Sequence, residues 1–237
     1  MARDWVAWHK AYEDPSSSLS QRQRDVATMI RTFLDEAPAG ELRVLSLCAG
    51  DGGDLELALN GHSRTGDVTG CLVEFDPALA ERARAKQARI GSRLEVRCAD
   101  AGDPANFVDV ALAPDAVGPT SLANGWLLTR PANRVGEPVD LLILVGIFGN
   151  ISDDDIRRTI NAVPSLCKPG ATVIWGRHRR EPDLTPQIRE WFEAVGCAST
   201  GFVSPGVGHH STASERVGPV SNDPLPTKLF TFLDDLW

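Results

Sequence analysis

The sequence of 237 residues predicts an α/β fold with a doubly wound, mostly parallel sheet and helices on both faces. Two observations lead to this prediction. Short β-branched runs alternate with helical patterns along most of the chain, and the predicted helices start at or beside Asp, Pro or Ser. This alternation is typical of parallel sheets covered by helices. The length fits a single domain, residues 1–237.

An N-terminal segment, residues 1–40, precedes the predicted sheet. Residues 20–34 carry apolar side chains near helical spacing, with arginines on the opposite face. Pro38 and Gly40 end this helix. Because such a segment often closes over the site in doubly wound folds, we expect a helical lid here.

Five strand–helix pairs then follow in order. The predicted strands are at 42–48, 68–74, 94–99, 139–146 and 171–177, and the predicted helices at 53–61, 77–90, 104–112, 153–166 and 186–196. Residues 228–236 predict a closing strand, which we expect to be antiparallel. The irregular residues 113–138 are rich in proline and glycine, and predict a packing or mobile loop, a lid or a partner contact.

Charge and cysteine spacing narrow the class of partner. A net charge of −8 and a pI of about 5.1 make nucleic acid and anionic membranes poor partners, although residues 177–180 form a short basic cluster. The five cysteines form no CxxC pair, so no metal site is expected. The chain shows no signal peptide and no apolar run of about 18 residues. These features predict a cytoplasmic protein.

The first strand leads into the acidic, glycine-rich turn of VLSLCAGDGGD at 44–54. A dinucleotide fingerprint would need a third glycine where this chain has Leu55, and Asp51 would repel a pyrophosphate. S-adenosyl-L-methionine instead carries a sulfonium and an ammonium group. Asp51 or Asp54 could meet that ammonium, while helix N–H groups take the carboxylate. The acidic turn therefore favours a cationic cofactor.

The next strand ends support a nucleoside site. Glu74 closes the second strand, where an acidic side chain can accept both ribose hydroxyls. Asp76 precedes Pro77 and is interpreted as a helix N-cap. Asp100 follows the third strand and either accepts from an adenine amino group or serves as a loop cap.

The series VLSLCAGDG, LVEFDP, RCADA and DLLILVGIFGNI resembles the motifs of Rossmann-like class I S-adenosylmethionine-dependent methyltransferases, over about residues 20–237. With the N-terminal WHKAYEDPSSSLSQR and VIWGRH, the chain more narrowly resembles small methyltransferases of actinobacterial type. The family usually has an acidic residue and a glycine where this chain has Ser46 and Cys48. The resemblance implies these cofactor-binding residues: Cys48, Ala49, Gly50, Asp51, Gly52, Glu74, Phe75, Asp100, Ala101, Val145, Gly146 and Ile147.

No motif identifies a catalytic base. His178, just past the fifth strand, is the first candidate, with a surface-loop histidine as the alternative, and His9 is the second. The expected substrate-binding residues are Trp8, Tyr12, Phe148 and Asn150. Core packing is the alternative for Phe148, a turn position for Asn150 and a hydrophobic anchor for the N-terminal aromatic cluster.

The leading hypothesis is transfer of a methyl group to an N or O nucleophile of a small molecule or peptide, with S-adenosyl-L-homocysteine as product. A non-catalytic cofactor-binding or partner protein on the same fold is the alternative. An NAD(P)-dependent oxidoreductase is disfavoured, because the single tyrosine, Tyr12, is far from the Tyr-x-x-x-Lys position that a short-chain dehydrogenase needs. The sequence does not predict the acceptor or the oligomeric state.

Overall fold

Seven strands form one sheet in the computed structural model, which describes residues 9–107, 138–206 and 209–233. The strands are β1 Leu42–Leu47, β2 Val68–Glu74, β3 Arg93–Cys98, β4 Val139–Leu144, β5 Cys167–His178, β6 Ala198–Val203 and β7 His210–Arg216. The α-helices are α1 Ser18–Glu36, α2 Gly53–Leu59, α3 Pro77–Ile90, α4 Asp153–Leu166 and α5 Thr185–Ala194. Short 3₁₀ turns lie at Lys10–Glu13, Thr65–Asp67 and Pro104–Asn106.

The sheet has the order β3-β2-β1-β4-β5-β7-β6. Strands β1 to β5 pair in parallel, and β7 pairs antiparallel with both β5 and β6. The strand order reverses between β1 and β4. In open α/β sheets, ligands bind beyond the carboxyl ends of the strands at such a switch point.

Both faces of the sheet are covered by apolar packing. On one face Val26 and Ile30 of α1 and Ala83 of α3 are buried in one core cluster. On the other face Ile160 of α4 and Phe192 of α5 belong to a second cluster. The doubly wound, mostly parallel fold predicted from the sequence is confirmed.

The antiparallel final strand exists, but its predicted position is wrong. Within the described part of residues 228–236, the chain forms only an isolated bridge between Phe232 and Ile151. The antiparallel strand is β7, which lies in a stretch with few apolar residues. Its Ser211 and Thr212 are fully buried despite their polarity. Hydrophobic periodicity cannot detect such a strand.

Some predicted regions lie partly outside the described residues. Of the helix predicted at 104–112, the described part contains only the 3₁₀ turn Pro104–Asn106. The irregular stretch at 113–138 lies outside the described residues except for Pro138. No helix in the described ranges is both long enough and apolar enough to cross a bilayer.

Gly70 of β2 provides a test of the sheet geometry. It has a positive φ of 126°, and an added Cβ would overlap the carbonyl oxygen of Val44 in β1. Since backbone cannot move aside as a side chain can, Gly70→Ala should lower the free energy of unfolding by about 3 kcal/mol or more. Urea denaturation measures this change. Gly66→Ala is the matched control, because its added Cβ would meet nothing within 4 Å; equal effects of both variants would contradict the predicted clash.

Candidate functional site

The turn after β1 is a tight glycine loop tied to β2. Cys48, Gly50 and Gly52 all have positive φ, at 55°, 57° and 71°. The Ala49 N–H donates to the Val73 carbonyl oxygen over 3.0 Å. A non-glycine residue in the left-handed region costs roughly 1–2 kcal/mol. Cys48 therefore occupies a backbone position that suits the glycine expected there, and the loop keeps its shape despite the departure.

Glu74 at the end of β2 holds this loop. One carboxylate oxygen accepts from the Gly50 N–H and the other from the Asp76 N–H, each over 2.8 Å. The residue is only 8% exposed, and burial raises its pKa against the opposing effect of these backbone bonds. An ionised carboxylate has about four lone-pair sites, so acceptor capacity remains for a ligand hydroxyl. Asp76 accepts from Ala78 and Leu79, which confirms its role as an N-cap.

The residues expected around adenine lie beside Glu74. Phe75 is 73% exposed, an unusual state for a large aromatic side chain. Ala101 is buried. Asp100 accepts from the Gly102 N–H over 2.8 Å and forms an ion pair with Lys228 of the C-terminal segment. Asp100 is thus both a loop cap and an ion-pair partner, and Phe75 offers the open surface at this end.

The acidity of the glycine loop is partly balanced inside the protein. Asp51 lies 2.7 Å from the Lys86 ammonium of α3 and also accepts from the Gly53 N–H over 3.1 Å. Lys86 lies 3.3 Å from Glu56 as well. Asp51 therefore already has a cationic partner within the protein.

Asp54, in the first turn of α2, is the other acidic residue of the loop. Burial raises its pKa to about 6, against the attraction of Arg22, while Asp51 raises it further. Gln23 of α1 hydrogen-bonds its side chain. The surroundings thus destabilise the negative charge of Asp54, one of the two aspartates proposed to meet an ammonium group.

A turn follows β4 on the other side of the switch point. Val145 and Ile147 are buried, and Gly146 has a φ of 83° with nothing within 4 Å of an added Cβ. Asn150 closes the turn with two hydrogen bonds of 2.8 Å. Its side-chain amide donates to the Gly146 carbonyl oxygen, and its backbone N–H donates to the Ile147 carbonyl oxygen. Asn150 thus has the turn role considered as its alternative.

Phe148 does not face the reaction zone. It is fully buried, and its ring centroid lies 6.0 Å from that of Trp175 and 6.4 Å from that of Phe192. The prediction that Phe148 contacts a substrate is wrong, because the side chain leaves the turn toward the core.

The N-terminal segment covers the glycine loop from His9 onward. An added Cβ at Gly50 would lie 2.5 Å from the His9 ring, so the imidazole rests on the loop backbone. Burial lowers the pKa of His9. The Tyr12 ring lies 5.1 Å from His9, and its hydroxyl accepts a hydrogen bond from Arg22 of α1. Trp8 lies outside the described residues.

His178 lies beside the turn after β4. An added Cβ at Gly149 would lie 3.1 Å from its ring. Burial lowers the pKa of His178, and the cations Arg177 and Arg180 lower it further. The Arg177 guanidinium donates to the carbonyl oxygen of Phe148. The structure thus brings His178 to the turn that bounds the reaction zone, on the β5 side of the switch point.

Three polar residues near the site were missed by sequence reasoning. Lys86 pairs with Asp51, Arg22 reaches Tyr12, and Asp25 of α1 lies 3.0 Å from His210 of β7. On helical wheels Arg22 and Asp25 belong to the polar face of α1, and Lys86 belongs to that of α3. Only the packing of each helix against the loop or the sheet shows which polar side chains face inward.

The described residues fit a nucleoside that carries a cationic amino-acid tail, as S-adenosylmethionine does. Phe75 offers an open aromatic face beside Glu74, whose remaining lone pairs suit ribose hydroxyls. Gly146 leaves space above the end of β4. The Asp54 carboxyl supplies an acceptor for an ammonium group. Among the described residues, no group of three or more His, Cys, Asp or Glu is placed to hold a metal ion.

Comparison with known proteins identifies the fold. The sequence matches no protein-family model and no curated protein. In structure it is similar to an O-methyltransferase family protein from Burkholderia thailandensis, with a TM-score of 0.59 and 16% identity over 91% of this chain. It is also similar to the magnesium protoporphyrin IX methyltransferase of Synechocystis with bound SAM, with a TM-score of 0.57 and 12% identity over 89% of each chain.

A third similar structure is an O-methyltransferase family 2 protein from Planctomyces limnophilus in complex with apigenin, with a TM-score of 0.51 and 16% identity over 84% of this chain. The chain spans 60% of the Burkholderia protein and 59% of the Planctomyces protein. At these identities the likeness establishes the fold, which is the Rossmann-like fold of these methyltransferases.

Asp54→Asn should stabilise the protein at high pH. The folded-state pKa of Asp54 is about 6, above the ordinary 3.8. Between pH 3.8 and about 6, Asp54 therefore keeps a proton in the folded protein that it has lost in the unfolded chain. The wild type therefore loses stability as pH rises from about 4 to 6. The variant should gain about 3 kcal/mol in urea unfolding at pH 8 and almost nothing at pH 4.

Glu81→Gln is the matched control, because this exposed carboxyl of α3 lies outside the site. It should change stability by less than about 0.5 kcal/mol at either pH. A pH-independent effect of Asp54→Asn would contradict the burial argument.

Proposed function

We propose that the chain is a class I S-adenosylmethionine-dependent methyltransferase. The single observation that carries the proposal is the hydrogen bond from the Gly50 N–H to Glu74 at the switch point. It joins a glycine loop, which allows close backbone approach, to a buried carboxylate suited to ribose. When bound, S-adenosyl-L-methionine supplies an electrophilic methyl group on a sulfonium and leaves as S-adenosyl-L-homocysteine.

The proposed cofactor contacts follow the strand ends. The loop from Cys48 to Gly52 surrounds the methionine part, and Glu74 accepts from the ribose. Phe75, Asp100 and Ala101 flank the adenine. The turn after β4, from Val145 to Ile147, forms the floor.

The proposed acceptor is an N or O nucleophile of a small molecule or peptide, held near Tyr12 and Asn150, with Trp8 as a further contact. Much of the barrier to methyl transfer is lowered by holding nucleophile and methyl group in line. An acceptor that starts protonated also needs a base. His178 is the first candidate, since its lowered pKa keeps it neutral near pH 7, and His9 is the second.

The proposal also includes the cellular compartment of the protein. All five cysteines are free thiols, which suits a reducing compartment such as the cytoplasm. The narrower likeness to small methyltransferases of actinobacterial type is also kept as part of this proposal.

Cofactor binding is tested by calorimetric titration with S-adenosylmethionine and S-adenosylhomocysteine, with NADH and NADPH as controls. We expect micromolar binding of the first two and none of the nicotinamides. Binding of a nicotinamide alone would favour an oxidoreductase. Absence of binding by all four would favour a partner protein on this fold.

Glu74→Gln tests the ribose contact. A carboxylate has two acceptor oxygens, whereas the glutamine amide has one. The amide therefore cannot accept from the Gly50 N–H, the Asp76 N–H and a ribose hydroxyl together. We expect the affinity for S-adenosylhomocysteine to fall about 10- to 100-fold, since hydrogen bonds to charged groups contribute about 1.5–3 kcal/mol. The matched control Glu81→Gln should bind as the wild type does. Unchanged affinity of a folded Glu74→Gln protein would place the ribose elsewhere.

His178→Asn tests the candidate base. We expect the rate of transfer of labelled methyl groups to a small-molecule extract to fall about 100-fold or more, with cofactor affinity unchanged. Because the pKa of His178 lies below 6.5, the wild-type rate should rise with pH below 6.5 and be level above pH 7. The exposed His209 gives the control His209→Asn. A variant that keeps the wild-type rate and pH profile would exclude His178 as the base.

A further inference from the structure

Arg22 of α1 lies between β5 and the N-terminal segment, next to the candidate site. A Cβ added at Gly176 of β5 would lie 3.9 Å from Arg22 Cδ and 3.8 Å from Val145 Cγ1. Arg22 is therefore a neighbour of the proposed cofactor floor. Its guanidinium donates to the Tyr12 hydroxyl and lies 5.8 Å from the Tyr12 ring centroid. It thus lies between the end of β5 and the covering N-terminal segment.

The hydrogen bond to Tyr12 orients the guanidinium without neutralising it. Burial raises the pKa of Tyr12, so its hydroxyl stays protonated and carries no charge. A guanidinium held in one direction loses less entropy when it binds a carboxylate, because its planar fork is already placed. Tyr12 thereby makes Arg22 a preorganised cation.

The Arg22 charge acts on the same region as the Asp54 carboxyl. After burial, the attraction of Arg22 is the largest influence on the pKa of Asp54. Gln23, the next residue of α1, hydrogen-bonds the Asp54 side chain and lies against Gly53 at the start of α2, so the Asp54 carboxyl faces α1 next to Arg22. Such a pair is complementary to an amino-acid zwitterion, which carries one carboxylate and one ammonium group.

Other groups near the loop are less suited to a carboxylate. The Gly53 N–H at the start of α2 already donates to Asp51, and the first turn carries Asp54 and Glu56. Lys86 contacts two carboxylates, Asp51 at 2.7 Å and Glu56 at 3.3 Å. The expectation that helix N–H groups receive the cofactor carboxylate therefore conflicts with the charges already present there.

We propose that Arg22 binds the α-carboxylate of the cofactor's methionine end while Asp54 faces its ammonium group. This inference rests on the proposed function and adds a cofactor-recognition residue to it. Arg22 reads the carboxylate through charge-assisted hydrogen bonds, which a planar guanidinium can make in pairs. The amino-acid tail is thus recognised by α1 and α2 together.

The test compares two ligands that differ in the amino-acid tail. S-adenosylhomocysteine carries the zwitterion, whereas 5′-methylthioadenosine retains the nucleoside and the sulfur but has no carboxylate. We expect Arg22→Met to weaken binding of S-adenosylhomocysteine about 10- to 100-fold in calorimetric titration. Binding of 5′-methylthioadenosine should stay within about threefold of the wild type, since its contacts do not involve the guanidinium.

Control variants separate recognition from folding. Arg24→Met changes an exposed arginine of the same helix, which donates to Pro15 and Gln21, and should bind both ligands as the wild type does. Arg22→Lys keeps the charge and should lose less affinity for S-adenosylhomocysteine than Arg22→Met. Tyr12→Phe removes the orienting hydroxyl and should weaken S-adenosylhomocysteine selectively, by less than Arg22→Met does.

The outcomes distinguish this inference from the proposed function. Equal loss of both ligands in Arg22→Met, with a lowered melting temperature, would make Arg22 a structural residue and overturn the inference. Unchanged binding of S-adenosylhomocysteine by a folded Arg22→Met protein would overturn it as well. In both cases wild-type binding would leave the proposed function standing. A wild type that binds neither ligand would overturn both proposals.

Discussion

The hydrogen bond between Glu74 and the Gly50 N–H is the constraint on which the rest of the site depends. It closes the loop after β1 onto the end of β2, and the second carboxylate oxygen fixes the start of the connection to α3 through Asp76. A loop held at both ends can keep residues with positive φ, including Cys48, in place. The start of α2, and with it Asp54, is positioned as a consequence.

The charged residues around this loop form two pairs, one with a structural role and one with a proposed role in binding. Asp51 and Lys86 neutralise one another and join the loop to α3. Asp54 and Arg22 lie on the side toward α1, where burial raises the pKa of Asp54 and so destabilises its charged form. Destabilised charges of this kind are typical of binding sites. The stability that such a charge costs the free protein can be recovered when a ligand brings a positive charge to it.

The sequence predicts the fold well because its signals are local. A parallel strand buried on both faces is a near-continuous apolar run, and β1, β2, β4 and β5 contain such runs. The strand β7 gives no such signal, since it is stabilised by contacts that only the folded sheet provides. The site is predicted less completely for the same reason. Glycine, Glu74 and Asp76 act through nearby backbone, whereas the partners Lys86 and Arg22 lie on other helices, and the direction of the Phe148 side chain depends on the core.

Polar side chains of β7 bond to elements on the side of the site where the methyl acceptor is proposed to bind. His210 of β7 lies 3.0 Å from Asp25 of α1, and Ser211 donates to the Arg177 carbonyl oxygen over 3.0 Å. These bonds tie the first turns of α1 and the end of β5 to one strand. Arg22 and His178 therefore belong to elements that β7 holds together at the end of the sheet where β5 ends and β7 begins. The buried polar groups of β7 cost stability unless they are paired. The bonds of His210 and Ser211 offset part of that cost and brace both sides of the proposed reaction zone, whereas Thr212 Oγ1 and His210 Nδ1 have no hydrogen-bond partner in the described part of the chain.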